Sequence, residues 1–352
     1  MSGAPSSAHG SLQWNRANVL GLGFLHLASL AGILWMVFVQ FHWATLGLGV
    51  LWYALGCVGI TGGYHRSFAH KAYDTAAPLR WFYLLFGAAA MQTSALVWSA
   101  DHRDHHRHTD DDDDPHSILE GFFWAHMGWI IRNRADRPGP NLDRVQDLAK
   151  IPGFQWQHRN YWTVAIVTGW VVPAVIALAW GDFIGALLVA GALRTTLMLH
   201  ATWCVNSVAH TVGSRPYSRA ISARDSILTA LITGGEGYHN FHHRFPGDYR
   251  NAIRWWQYDP TKWFIWTMSK LGLARGLQRT PVKVIAGMPG CSTIRAPTVS
   301  PRPCTMLRTP GGRPAAAASS PNRWAERGVT SLGFATTVFP VARAGAIFHV
   351  KR

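Results

Sequence analysis

Four stretches of this 352-residue chain, residues 18–39, 43–62, 162–180 and 183–203, are apolar over the length that crosses a lipid bilayer, about 20 residues for a helix. Hydrocarbon offers no partner to a backbone N–H or C=O, so stretches of this kind must pair internally as helices. The turns near His42 and near Gly181 and Asp182 are very short and hold no lysine or arginine. The stretches therefore form two helical hairpins. Cations such as Arg66, Lys71, Arg103, Arg132 and Arg224 lie outside the hairpins. The preference of cations for the inner face then places those segments and both termini in the cytoplasm. A fifth apolar stretch, from Leu79 to Trp98, is nearly span-length. Were it to cross, histidines on its two sides would face opposite compartments, so it is expected as a buried or interfacial helix of a cytoplasmic cap.

The expected fold is an all-α integral membrane protein with four transmembrane helices under a helical cap. Residues 1–16 form an N-terminal cytosolic tail, 17–279 the membrane domain, and 64–160 with 205–279 the cap. From Thr280 the sequence turns to Pro, Ala, Ser, Arg and Gly without periodicity, and residues 280–352 are expected to be disordered. The first span lacks a basic start and a small-residue cleavage site, so it reads as a retained anchor. Hydrophobic residues at 48%, charged residues at 14% and 18 tryptophans suit a chain living in lipid and at its interfaces. The net charge of +15 comes from scattered cations with no nucleic-acid motif, and faces lipid head groups, acidic substrates or an acidic redox partner. Cys57, Cys204, Cys291 and Cys304 make no CxxC pair.

Half of the 18 histidines fall in four clusters: His65 and His70 in HRSFAH, His102, His105 and His106 in HRDHH, His210 in NSVAH, and His239, His242 and His243 in HNFHH. All follow a span or lie in a cap segment, so they can converge. On a helix the i, i+3, i+4 spacing of each trio holds three rings within an arc of about 100°. His65 and His70, five apart, fit an ideal helix less well, so the end of the second span is expected to be irregular or the pair split between two metals. Nine imidazoles exceed the donors of one metal and suit two. Imidazole also binds zinc, copper and nickel; iron is favoured because a greasy setting suits oxygen activation. Lone histidines at helix ends are ordinarily caps or satisfied polar groups, and His9, His26, His42, His158 and His349 are read so. Asp101, Asp104 and Glu236 adjoin the clusters and could orient the rings. The run from Asp110 to Asp114 reads as a solvated loop with one member turned toward a histidine.

The motifs QTSALVWSADHRDHH, DPHSILEGFFWAHMGW, HATWCVNSVAH, RPY and GEGYHNFHHRFPGDYR resemble those of the membrane acyl-CoA desaturases, the stearoyl-CoA Δ9-desaturases of animals and their bacterial relatives. The likeness runs from about Val19 to Gln278. It implies a mushroom-shaped protein holding two iron ions (Fe2+/Fe3+) on the nine clustered histidines, with Asn206 reaching one metal through water. It also implies a kinked tunnel for a long saturated acyl chain, shaped by Gln92, Trp98 and Thr202 with Trp203 beside them, and O2 as co-substrate. The long-chain acyl-CoA, or another acyl thioester, would gain a cis double bond at Δ9. No flavin, nicotinamide or haem motif is present, so electrons would come from an external donor such as ferredoxin, a flavoprotein reductase or cytochrome b5. Short loops and a compact length point to a bacterial inner (plasma) membrane. A related di-iron hydroxylase or acyl-lipid desaturase shares parts of the pattern. A metal transporter would place ionisable residues within its spans, and here the clusters lie outside them.

Overall fold

The computed structural model describes residues 12–134 and 139–288. Among them, four helices are long and apolar enough to cross a bilayer: α1 (Arg16–Val39), α2 (Trp43–Ala69), α6 (Tyr161–Trp180) and α7 (Phe183–Thr211). α1 starts where Asn15 caps it by accepting from the Asn18 N–H at 3.1 Å. Residues 40–42 join α1 to α2. α6 ends at Gly181, whose φ of +75° suits a residue without Cβ. Asp182 then caps α7 and accepts from Trp35 Nε1 at 3.3 Å, tying both hairpin turns together.

Small residues and paired hydroxyls join the helices, as expected where lipid gives no hydrophobic drive between them. A Cβ at Gly32 would come within 2.9 Å of the Leu188 carbonyl, so α1 and α7 approach backbone to backbone. Ser29 and Thr196 share a 2.7 Å bond across the same contact, and Trp52 Nε1 donates to the Thr168 carbonyl at 2.7 Å. Phe24, Leu27, Phe38 and Val50 point outward and exposed, as lipid-facing side chains would.

α3 (Ala77–Ala89) and α4 (Ala95–His108) divide the fifth apolar stretch. At 13 residues, α3 is too short to span; it lies against the end of α2. The rest of the cap comprises α5 (Pro152–Arg159), α8 (Ile227–Ile232), α9 (His239–Arg244), α10 (Pro260–Lys270) and α11 (Val282–Ala286). Two short antiparallel pairings tie it down: β1 (Leu12–Trp14) with β3 (Arg132–Arg134), and β2 (Asp74–Thr75) with β4 (Ala274–Arg275).

Several boundaries differ from the sequence reading. α2 and α7 continue to Ala69 and Thr211, beyond the expected ends at 62 and 203, because their final turns are helical although their residues are polar. Residues 12–14 of the expected N-terminal tail are a strand. Residues 280–288 of the expected disordered tail include α11, whose buried Ile285 packs on Phe241. Residues 1–11 and 289–352, with His9, His349, Cys291 and Cys304, lie outside the described residues.

Candidate metal centre

Each clustered histidine is placed by a different device. From Gly59 to Ala69 α2 winds as a π-helix, and the His70 N–H donates to the His65 carbonyl at 3.1 Å. That i→i+5 bond stacks the two residues, which an α-helical pitch would splay. α4 begins at Ser94, which accepts from Val97 N, and is regular through its trio. His102 and His106, four apart, share one face, whereas His105 turns to another. In α9, His239 and His243 share a face and His242 points away from it. His210 comes from the last turn of α7.

The result is two groups of rings. His65, His70, His102, His106 and His242 form one, and His105, His210, His239 and His243 the other; within each, one ligand atom per residue lies within 4.8 Å of the rest. Each HxxHH trio is thus divided between the groups. Nε2 of His242 is 3.0 Å from that of His65 and 2.9 Å from that of His106. Nε2 of His70 and His102 are 2.8 Å apart, and those of His239 and His243 3.0 Å. One N–H on His242 cannot serve two facing nitrogens, whereas a cation among converging lone pairs satisfies them all. The buried Nε2 of His210, in the second group, has no hydrogen-bond partner. Burial, followed by neighbouring positive charge, holds His70, His102, His106, His239, His242 and His243 well below the ordinary imidazole range. Neutral rings are the ligand form, so the donor set fits two transition-metal ions.

The outer ring nitrogens meet oxygen. Glu236 Oε2 lies 2.8 Å from His65 Nδ1, and Asp114 Oδ1 2.9 Å from His105 Nδ1. His210 Nδ1 is 2.6 Å from Ser222 Oγ, which in turn bonds to Asp110. Glu236 is held by the buried Arg66, which also pairs with Asp259 at 3.0 Å. Burial pushes the Glu236 carboxyl up, but His65 and Arg66 outweigh it and bring it down to about 2. Asp104 is taken by Arg144 at 2.8 Å and contacts no histidine. In the aspartate run Asp114 meets His105, as one member was expected to, Asp111 also meets a histidine, His108, at 3.1 Å, and Asp110 reaches Ser222. His116, passed over in the sequence, lies 3.6 Å from Asp114 and stacks near His105; the DPH triplet that places it is the only signal. His42 and His158 hydrogen bond to Gln40 and Ser94.

Two cavities reach the rings. One is lined by Gln92, Trp98, Thr202, Trp203 and Asn206 and ends at His102 and His116. Gln92 donates to Thr202 Oγ1 at 2.8 Å, accepts from Trp98 Nε1 at 3.3 Å, and Trp98 stacks on His102. The other, between α2, α7 and α8, shares Trp98, His102, Thr202 and Asn206 with the first. Outward, the first cavity shares Asp101 and Trp129 with a polar cleft lined by Arg132, Arg134 and Arg144.

Bilayer-length helices capped by nine converging imidazoles define an integral membrane protein with histidine clusters able to hold metal. Residues 41–274 match the fatty acid desaturase family, and the chain belongs to that family. It is 45% identical over 238 residues to a probable acyl-CoA desaturase of Schizosaccharomyces pombe, covering 67% of this chain and 50% of that one. Against acyl-CoA desaturase 1 of Saccharomyces cerevisiae it is 41% identical, covering 68% of this chain and 47% of the relative. The chain thus spans about half the length of these two relatives. A delta(9)-fatty-acid desaturase, fat-5, of Caenorhabditis elegans is 39% identical over 280 residues, 77% of this chain and 83% of its own.

Proposed function

We propose that this protein is a Δ9 acyl-CoA desaturase that puts a cis double bond into a long saturated acyl chain, using two iron ions, O2 and two electrons from a separate donor. The observation that carries the reading is adjacency: an apolar cavity that reaches His102 and His116 shares Asp101 and Trp129 with a polar cleft lined by Arg132, Arg134 and Arg144 as well as Asp104 and Asp113. A thioester with an anionic head and a greasy tail has that shape. Its middle carbons offer no polar handle, so the bond position must be measured from a fixed end along a shaped wall. The Gln92, Thr202 and Trp98 hydrogen bonds would fix that wall, with Trp203 behind it. The Δ9 position follows the name of the nematode relative, and the coenzyme A thioester those of the yeast relatives.

One metal would be held by His65, His70, His102, His106 and His242, the other by His105, His210, His239 and His243, with Asn206 through water. When bound, the iron pair supplies the oxygen activation that an unactivated C–H bond demands. The chain's own residues keep the rings neutral, orient them through Glu236, Asp114 and Ser222, and exclude bulk water with Trp98 and Thr202. Exposed Arg215 and Arg219 offer an acidic donor protein, such as ferredoxin, a landing surface. The cap lies on the cytoplasmic side.

Expression in a host lacking its own desaturase, with gas chromatography of derivatised fatty acids, tests the reading. New Δ9 monounsaturated acid and two irons per chain are expected, and His106→Ala or His243→Ala abolishes product while the protein still enters the membrane. Hydroxy acid in place of alkene would make the enzyme a hydroxylase.

A further inference from the structure

The second cavity shares Trp98, His102, Thr202 and Asn206 with the first, so the two meet beside the rings, but it shares no residue with the arginine-lined cleft. Away from the rings its walls are largely apolar: Cys57 and Ile60 of α2, Met198 and Val205 of α7 and Ile232 of α8. Ile232 is exposed, and Tyr53 and Val205 of the same lining are half-buried. These three residues mark its mouth. Across the mouth the Tyr53 hydroxyl donates to the Ile232 carbonyl at 2.5 Å. Among the described residues that is the one hydrogen bond between α8 and either span.

Lipid is what the mouth faces. The apolar run of α2 ends near residue 62, and at about 1.5 Å per residue Tyr53 lies about 14 Å inside it. A phenol does not reach from that depth to water, so the end of α8 that it bonds also sits in the apolar layer. α8 itself carries no charge, and its Ile227, Leu228, Leu231 and Ile232 are all exposed, as are Val50 and Leu51 of α2 and Leu197 of α7. An uncharged aliphatic face of that extent belongs against hydrocarbon. The same segment is hinged. Two successive glycines follow it, Gly234 and Gly235, at φ of +63° and +105°, a region that other residues rarely enter. Just beyond them Glu236 is fixed by Arg66 and by Asn251 Nδ2, at 2.9 and 2.7 Å. The end of α8 can therefore swing while the carboxylate that orients His65 stays in place.

We propose that the gap between α2, α7 and α8 is a passage for acyl chains from the metal centre into the bilayer, latched by Tyr53 on the Ile232 carbonyl. The proposal rests on the desaturase reading for the identity of the chain. A chain with its head in the arginine-lined cleft and its reacting carbons at the rings must place its methyl end beyond Trp98, in the second cavity. Once α8 swings out, the product moves sideways into lipid and is not drawn back past the rings.

The test uses full-length protein in phosphatidylcholine vesicles, with the native cysteines replaced. A nitroxide on Leu231→Cys should be relaxed more strongly by O2, which dissolves in lipid, than by a water-soluble nickel chelate. The reverse order, or a label shielded from both, would put water or another protein against α8 and overturn the passage. In a second variant, Tyr53→Cys and Ile232→Cys are joined by a cleavable bifunctional thiol reagent. Compared with the unjoined form, the clamp should leave the first turnover of stearoyl-CoA unchanged and slow steady-state alkene formation at least about 10-fold, and reductive cleavage should restore the rate. A clamped protein that turns over at full rate overturns the passage. So does one whose first turnover is slowed as much as the rest, because the gap would then shape the site and carry nothing. A lipid-facing label on a protein that makes no alkene from any acyl-CoA would leave the opening standing and sink the desaturase reading instead.

Discussion

His105 shows how a ring is aimed by its second nitrogen: Nδ1 is held by Asp114 at 2.9 Å, which turns Nε2 to within 3.3 Å of that of His243. Burial works against the Asp114 charge, yet His105 and His116 hold its carboxyl well below the usual range. Asp114→Asn keeps the volume and removes the charge, and should weaken metal binding about 10- to 100-fold. Metal analysis after dialysis against a chelator checks this; unchanged retention would show that Asp114 does not support the ligand. A pH effect belongs to the same residues. The six rings whose affinity for protons is depressed stay neutral when folded, whereas an unfolded chain takes up protons near pH 6.5. Below that pH the unfolded state binds more protons, so stability present above about pH 6.5 is lost as pH falls. Melting curves of metal-free protein from pH 8 to 5 should show Tm falling; a flat Tm would remove the linkage. The sequence made the clustered histidines legible because ligand spacing is local. Among five successive aspartates spacing says nothing, and only the folded loop selects Asp110 and Asp114. Asp101, also adjacent in sequence, makes no bond to a histidine, and burial with Asp104 pushes it up to about 8.

At the scale of elements, the five-residue step from His65 to His70 is the one irregularity the sequence announces, and the π-helical turn over Gly59–Ala69 is how the chain meets it. Its glycines are there for contact. A Cβ on Gly63 would fall 2.5 Å from the Tyr83 side chain, and one on Gly87 2.3 Å from Tyr64, so α2 and α3 interlock ring against backbone. Gly63→Ala must push α3 away or rotate the turn that carries His65. We expect a loss of about 1–3 kcal/mol and, because ligand aim is sensitive to small shifts, a fall in bound metal larger than the fall in folded protein. Calorimetry beside metal analysis separates the two, and full metal content in a destabilised variant would show that the turn tolerates the shift. Helices α2 and α7 run past the hydropathy limits at residues 62 and 203 for a related reason. Hydropathy registers where lipid stops, and the ligand-bearing turns are helix that has already left the apolar layer.

For the whole molecule, the hairpins set the geometry and one buried cation locks them. Arg194 of α7 donates to Ala190 O, Ala89 O and Gly169 O at 3.0, 2.7 and 2.7 Å, joining α7, the end of α3 and α6 through carbonyls alone. Hydropathy absorbed this arginine into an apolar span, because a single charge barely lowers a window average. What the sequence did carry is a charge asymmetry. The polar turns at 40–42 and at Gly181 and Asp182 hold no lysine or arginine, while the cap carries the cations. In the structure all nine histidines gather at the cap end of the four helices, which requires both hairpins to enter from that side. In a background with the native cysteines replaced, Gln40→Cys should react with a membrane-impermeant maleimide on intact cells, and Lys270→Cys only in inside-out vesicles. Labelling of both from one side would mean that the first hairpin does not cross the bilayer, and the cap would lose the single compartment its metal centre needs.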